Sequence, residues 1–255
     1  MSRLPDLEHC AQEPIRIPGA IQPHGRMVVL SERGVLRAWS ENWAGRDAAI
    51  DAVRRLDLDP ASLPDTHSAP AAAGKLCIGD AWLDVLAHRS DDCIILEFES
   101  GRPEAGIQAP IYALARRFLP ELQQAHTVLD LARLAAVEMK QLTGFGRALV
   151  YRFDNEGHGE VLAEVADPGY DRYLDHCFPA SDIPMQAREL YRLNHIRLIP
   201  DATYEPVALV AAEGGWKPRG LDMAFASLRS VSPVHLEYMR NMGTLASMSV
   251  SIVVK

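Results

Sequence analysis

The sequence predicts an α+β chain built as two antiparallel-sheet domains, and three observations lead there. Residues 27–99 break into about five apolar strand segments with one or two short helices, the pattern of a small sheet with helical cover. Residues 100–110 (SGRPEAGIQAP) carry two glycines and two prolines and read as a linker. A helical period then runs from Ile111 to Gln141, followed by paired strands, another helix and a last strand. The length of 255 residues agrees, since roughly 150 residues per domain allows one large domain or two small ones.

Residues 1–25 hold four prolines (Pro5, Pro14, Pro18, Pro23) and two glycines (Gly19, Gly25), so they read as an extended, turn-rich arm. Ile15, Ile17 and Ile21 make that arm too apolar to hang free, and it is expected to pack against something. Met27–Leu30 and Val35–Trp39 are strands around a Ser-Glu-Arg-Gly turn. Residues 41–58 are helical, with Ala49, Ile50, Val53 and Leu56 on one side, and residues 59–74 form a loop. Leu76–Gly79, Trp82–His88 and Cys93–Glu99 are the remaining strands of this part. Gly144 caps the long helix; Arg147–Phe153 and Gly159–Val165 flank an Asp-Asn-Glu-Gly turn. Asp182-Ile183-Pro184 opens a helix, with the aspartate as cap and the proline in the first turn, running through Tyr191. Residues 201–220 read as a long Gly- and Pro-containing loop, a kind that is often functional. Residues 233–243 form a helix, and Met248–Val254 a final strand.

Hydrophobic residues at 48% and charged residues at 24% exclude a disordered chain, a collagen and a coiled coil. A net charge of −8 argues against non-specific binding to nucleic acid or anionic membrane. The four cysteines are scattered and form no CxxC, so neither a disulfide framework nor structural zinc is expected. The first residues lack a signal peptide's apolar core, and no apolar run is long enough for a membrane helix. A soluble, cytoplasmic setting is expected. No G-x-S-x-G, P-loop or H-E-x-x-H occurs, so hydrolase and nucleotide-enzyme chemistries have no positive support.

Several residues carry more than one reading. Cys10 is either an incidental thiol or an attachment point that the arm carries to a neighbouring pocket. In CFPASDIPMQARELY (177–191), Asp182 is either a helix cap or a spare carboxylate aimed into a cavity, with Ser181 available as the other cap. Arg197 and Arg229 sit in apolar strand-like contexts, where an arginine usually faces solvent but can also build a bidentate anion site. Tyr151, Tyr191 and Tyr238 suit a core; His235, at a helix start, suits a surface, and His176 sits just ahead of the Asp182 segment. Ser247, Ser249 and Ser251 suit a half-buried strand. Taken singly, each of these residues favours the plain structural role.

Taken together they resemble the photosensory core of the bacteriophytochromes. The matching strings are Cys10 with Glu13–Gly25 (EPIRIPGAIQPHG), Leu149–Phe153 (LVYRF), Phe178–Pro184 (FPASDIP) with Gln186-Ala187-Arg188, Arg197–Asp201 (RLIPD) and Leu228–Gly243 (LRSVSPVHLEYMRNMG). The resemblance is weak across roughly 40–110, where the strand reading stands alone. It implies an N-terminal arm (1–25), a PAS domain (26–110) and a C-terminally incomplete GAF domain (111–255). The arm would thread a GAF loop near residues 201–228 as a knot, an exception to the rule that chains avoid them. The implied cofactor is biliverdin IXα, a tetrapyrrole joined by a thioether to Cys10; Val234-His235 stands where plant-type members carry their own attachment cysteine.

The resemblance also implies roles in the pocket. Arg197 and Arg229 match the arginines that bind the two propionates, where a guanidinium fork suits a carboxylate. Ser247, Ser249 and Tyr191 match neighbouring hydroxyl donors, and Ser232 is counted among the cofactor-binding residues. Asp182, in its Ile183-Pro184 turn, faces the ring nitrogens, and His235 stands beside the pyrrole water. Tyr151, Phe178 and Tyr238, with Met185, match the cage around the isomerising ring, and His176 its wall. The implied function is a red/far-red photoreceptor module in which light flips a methine bridge and biases a two-state protein. A PAS-GAF regulatory module without a functional chromophore is the alternative. No catalytic segment is recognised, although the parent could be a histidine kinase. The family's PHY and output segments have no counterpart here, so a fragment of a longer protein is expected, with a homodimer possible in the whole.

Overall fold

The computed structural model describes residues 13–66, 68–101, 116, 118–121, 123–212 and 216–252, so Cys10 lies outside the described residues. The chain divides into two compact units, Met1–Pro103 with Gln186–Lys255, and Glu104–Met185.

The first unit is organised by strands β1 (Ala20–Ile21), β2 (Gly25–Ser31), β3 (Leu36–Ser40), β4 (Ala71–Ile78), β5 (Ala81–Ser90), β6 (Cys93–Ser100) and β11 (Val207–Ala211). They form one sheet in the order β1-β11-β3-β2-β6-β5-β4, every pairing antiparallel. β2 and β6 are buried on both faces, which is why their sequences MVVL and CIILEF show no alternation. One face of the sheet (Val28, Leu30, Ile94, Leu96, Phe98) packs with Trp43 and with helix α1 (Arg46–Arg55). The Trp43 and Phe98 rings meet edge-on at 5.1 Å, and the Trp43 indole N–H donates to the Met27 carbonyl. The opposite face (Met27, Val29, Cys93, Ile95) packs with Leu209 and with Leu221, Met223, Ala226 and Leu228.

That second face accounts for the apolar arm. The Gly19 carbonyl accepts the Leu209 amide, and the Ala20 carbonyl accepts the Ser230 amide, both at 3.0 Å. The Arg16 carbonyl accepts the Met223 amide, and the Gln22 amide donates to the Leu228 carbonyl, both at 2.8 Å. The Arg16 side chain pairs with Asp222. Residues 16–22 therefore bond on one side to β11 and on the other to the segment 222–230. The close approach is built into Gly25, where an added Cβ would stand 2.6 Å from both Leu228 methyls and 2.8 Å from the Phe98 carbonyl. Gly25→Ala is expected to cost about 1–3 kcal/mol and to lower the thermal midpoint by several degrees. An unchanged melting curve would contradict this packing.

Also in the first unit, β10 (Ile196–Ile199) pairs antiparallel with β12 (Ser247–Val250), setting Arg197 opposite Ser249 and Ile199 opposite Ser247. Helix α4 (Pro233–Asn241) starts at an N-cap Ser232, whose hydroxyl accepts the His235 amide. The second unit has helix α2 (Val128–Thr143) against a three-stranded sheet of β7 (Arg147–Phe153), β8 (Gly159–Ala166) and β9 (Cys177–Phe178). Helix α3 (Met185–Leu193) begins at the division between the units.

Several sequence expectations need correction. The region 201–220 is not wholly loop, because Val207–Ala211 becomes β11 on the free edge of β3. A single helix over 111–141 is also wrong. Residues 125–127 are not helical, and Thr127 and Asp130 form a capping box that starts α2 afresh, each side chain accepting the other's amide at 3.1 Å. Gly144 does close that helix, at φ 69°. The helix over 41–58 is only Arg46–Arg55, entered at Gly45 with φ 111°. The loop placed at 59–74 ends early, because β4 already begins at Ala71. The last strand is Ser247–Val250, and residues 253–255 lie outside the described ones. Pro184 precedes the first helical residue of α3 rather than occupying its first turn, and Asp182 lies in the turn before that, not at the cap. Such end shifts of a residue or two are common where a proline-rich turn enters a helix.

Candidate functional site

The β10–β12 pair, α3, α4 and the segment before α4 enclose a cleft in the first unit. It is lined by Tyr191 from α3, Arg197 from β10, Ser247 and Ser249 from β12, Arg229, His235 from α4, and Gln22 from the arm. The register fixes this arrangement. Arg197 and Ser249 are cross-strand partners, and the β-strand alternation carries Ser247 to the same face.

Its electrostatics are unusual. Arg229 is only 4% exposed, so the sequence reading that a strand arginine faces solvent does not hold for it. Its Nη1 donates to the Ile15 carbonyl at 2.6 Å, while its Nε is buried with no partner. The Arg197 guanidinium stands 5.4 Å from the centre of the Tyr191 ring. Among the described residues, no carboxylate forms an ion pair with either arginine. Burial, then the neighbouring Arg197 charge, push the Arg229 guanidinium down to about 9, and burial also lowers Arg197. A buried guanidinium beside a second, half-buried one with no paired carboxylate is unfavourable, and an anion would relieve it. A planar carboxylate, able to accept two parallel N–H bonds, is the group this geometry fits.

His235 is held at the rim. Its amide donates to Ser232, whose hydroxyl in turn bonds the Glu13 carboxylate at the start of the described arm. Its ring stacks on Tyr238 at 6.4 Å, and desolvation of the imidazole, then the Arg197 charge, keep its pKa below that of an ordinary histidine. The Ser232–Glu13 bond ties the described arm to the N-cap of α4.

The remaining candidates gather in the second unit. Tyr151 on β7 meets Phe178 on β9 at 5.9 Å and Phe153 at 5.0 Å, and His176 stacks on Phe178 at 6.3 Å. Gly159 opposite has to lack a side chain, because a Cβ there would stand 1.7 Å from the Tyr151 hydroxyl. The turn that follows has Asp182 exposed, its amide donating to Pro179, with Ile183 and Pro184 half-buried and Met185 77% exposed. Tyr191, Arg197, Arg229, Ser232, His235, Tyr238, Ser247 and Ser249 thus belong to one unit. Tyr151, His176, Phe178 and the Asp182–Met185 turn belong to the other. Gln22 and Tyr173 were not singled out from sequence. Gln22 offered a signal, an amide inside the apolar arm run Ala20-Ile21-Gln22, and it is 2% exposed; Tyr173, which stands 6.1 Å from Phe178, offered none.

A sequence family described as PAS fold matches residues 10–46. The chromophore-binding domain of a Stigmatella aurantiaca bacteriophytochrome variant, solved in the Pr state, superposes with a TM-score of 0.81 at 39% identity, covering 96% of this chain and 86% of that one. The chain belongs to the bacteriophytochrome family. The chromophore-binding domain of an unusual bacteriophytochrome from R. palustris gives a TM-score of 0.79 at 36% identity, over 97% of this chain and 85% of that one. Cyanobacterial phytochrome B of Nostoc sp. is 38% identical over 97% of this chain but only 35% of its own length. The chain thus spans about a third of the length of the curated relatives it matches. The α+β architecture, with its PAS and GAF sensor domains, is that of the bacteriophytochrome chromophore-binding fold. The unanswered arginine pair, the orphaned Arg229 Nε and the flanking hydroxyls suit a ligand that brings carboxylates, as a bilin does.

Proposed function

We propose that this chain is the light-sensing module of a bacteriophytochrome, with biliverdin IXα joined by a thioether to Cys10. The observation that carries the reading is the buried Arg229 guanidinium, its Nε without a partner, next to the half-buried Arg197 with no carboxylate paired to either among the described residues. Arg197 and Arg229 bind the propionates, with Tyr191, Ser232, Ser247 and Ser249 as hydroxyl partners around them. Asp182 and His235 hold the hydrogen bonds on the pyrrole-nitrogen side, and the lowered pKa of His235 keeps its ring a neutral donor and acceptor. Tyr151, His176, Phe178, Tyr238, Ile183, Pro184 and Met185 form the apolar cage. When bound, the bilin supplies absorption of red light and isomerisation about a methine bridge. The protein's part is to offer two hydrogen-bond arrangements of similar free energy, so that a change of partner at Asp182 shifts the population.

The domain plan that goes with this is an arm (1–25), a PAS domain (26–110) and a GAF domain (111–255), signalling to an output domain, with dimerisation in the full protein. The chain itself is read as non-catalytic. Among the described residues no helix is long and apolar enough to cross a membrane. A cytoplasmic location is part of this reading.

Incubation of the purified chain with biliverdin tests it. The expected result is a red-shifted absorption band and pigment that stays on the chain after denaturation. Cys10→Ser should still colour but lose its pigment on denaturation. Irradiation should give a difference spectrum that Asp182→Ala diminishes. No absorption change with either protein overturns the reading.

A further inference from the structure

The interior of the seven-stranded sheet carries a carboxyl that the cleft does not use. Glu97 on β6 is fully buried, and its Oε2 accepts the Leu228 amide at 2.7 Å. Leu228 immediately precedes Arg229. On the other side of that segment, the Gln22 side-chain amide donates to the Leu198 carbonyl at 3.0 Å and to the Ser227 and Arg229 carbonyls at 3.5 Å, and Ile21 forms a β-bridge with Arg229. The backbone that presents Arg229 is therefore clamped between a sheet residue and an arm residue. Both are polar, and both are buried in otherwise apolar surroundings.

The other Glu97 oxygen, Oε1, has no partner. It stands 3.8 Å from Nδ1 of His88 on β5, a side chain 1% exposed whose two nitrogens are also unpartnered. Burial raises Glu97 to about 8 and lowers His88 to about 4, so near neutral pH the carboxyl is protonated and the imidazole is neutral. A protonated carboxyl keeps one carbonyl oxygen for the Leu228 amide and can turn its O–H towards the ring nitrogen. This explains how an acid persists there without a cation.

We propose that Glu97 is a positioning residue for the anion-binding cleft: through the Leu228 amide it fixes the backbone that presents Arg229, so the sheet interior sets how strongly the cleft prefers a carboxylate-bearing ligand. The ligand half of this rests on the bilin reading above. A buried group kept only for packing would be equally well served by leucine, whereas a positioning group needs an acceptor at Oε2.

The test compares wild type, Glu97→Gln, Glu97→Leu and the double variant Glu97→Leu/His88→Leu. The double variant removes both unpaired polar groups together and guards against a single variant that fails to fold. The first readout is amide hydrogen exchange in the ligand-free chain. Exchange at Leu228 should accelerate in both leucine variants, while β2 and β6 stay protected, and should stay slow in Glu97→Gln, which retains an acceptor oxygen. The second readout is the ratio of affinities for biliverdin and its dimethyl ester. The leucine variants should lower that ratio by about tenfold, the scale of an effect transmitted one step from the ligand, and Glu97→Gln should restore it. Unchanged Leu228 exchange, or equal weakening of acid and ester, overturns the proposal. If wild type binds neither pigment, the bilin reading falls, and Leu228 exchange alone upholds or overturns the positioning role.

Discussion

Arg229→Met is expected to raise the melting temperature of the ligand-free chain and, at the same time, to lower its affinity for biliverdin by about 30-fold or more. The two effects have one cause. In the ligand-free fold the Arg229 guanidinium is 4% exposed, faces the like charge of Arg197 and leaves its Nε without a partner. Replacing even a paired set of buried charges by packed apolar side chains is often neutral or stabilising by about 1–4 kcal/mol, and a charge with no partner forfeits less Coulombic attraction when it is removed. At this size each kcal/mol shifts the midpoint by about 2–4 °C. The loss of the bond to the Ile15 carbonyl works against this, so the gain falls towards the lower end. In the complex the sign reverses, because a carboxylate would be left facing a methionine. A variant that melts lower and binds as well as wild type would show that Arg229 is structural. Calorimetry of the free chain and pigment titration read the two effects separately.

The second large effect is the pH dependence of stability set by Glu97. Its pKa rises on folding from 4.5 to about 8, so between those values the folded chain holds a proton that the unfolded chain has released. Stability then falls as pH rises, by about 1.4 kcal/mol per pH unit for one proton. His88 moves from 6.5 down to about 4, so between those values the unfolded chain holds the extra proton and stability is lost as pH falls. The two slopes oppose each other from about 4.5 to 6.5, and from 6.5 to about 8 Glu97 is the one of the two that contributes. The expected loss over that upper window is about 2 kcal/mol, or roughly 4–8 °C. The charged groups that act on the Glu97–His88 pair are Glu99 on β6 and Asp222 in the loop. Glu99 is itself raised, by burial and then by Asp84, and adds a slope of the same sign. The Glu97 share is therefore the difference between wild type and Glu97→Gln, measured by urea unfolding at pH 6.5 and 8. A difference that does not change with pH contradicts the assignment.

How much of this was legible in the sequence depended on whether a residue's partner was local. The β2–β3 hairpin, with Ser-Glu-Arg-Gly between two apolar runs, could be read because turn and strands are adjacent in the chain. Gly144 as a C-cap could be read for the same reason. β11 could not. Val207–Ala211 is a short apolar stretch after a proline, without alternation, and becomes a strand only because the edge of β3 and the arm residues Ala20–Ile21 are there to pair with it. The break at residues 125–127 was hidden because the apolar period continues across it, while the Thr127–Asp130 capping box was present in the sequence and was overlooked.

The cleft divides in the same way. Arg197, Ser247 and Ser249 lie on paired strands; Arg197 sits in a family string, and the family resemblance implies the two serines beside it. Burial of Arg229 and the clamp by Gln22 and Glu97 depend on contacts between residues 131 to 207 positions apart. No local pattern encodes contacts of that kind. The apolar arm did carry a correct expectation, that it packs against something, because three isoleucines among prolines have no reason to remain in water.

The measurement that tests the central claim most directly is a parallel titration of the unaltered chain with biliverdin and with its dimethyl ester, read by absorption. A buried and a half-buried guanidinium that bind carboxylates predict that the free acid binds at least about tenfold more tightly than the ester. Equal affinity for the two would contradict the account of Arg197 and Arg229 as the carboxylate-binding pair.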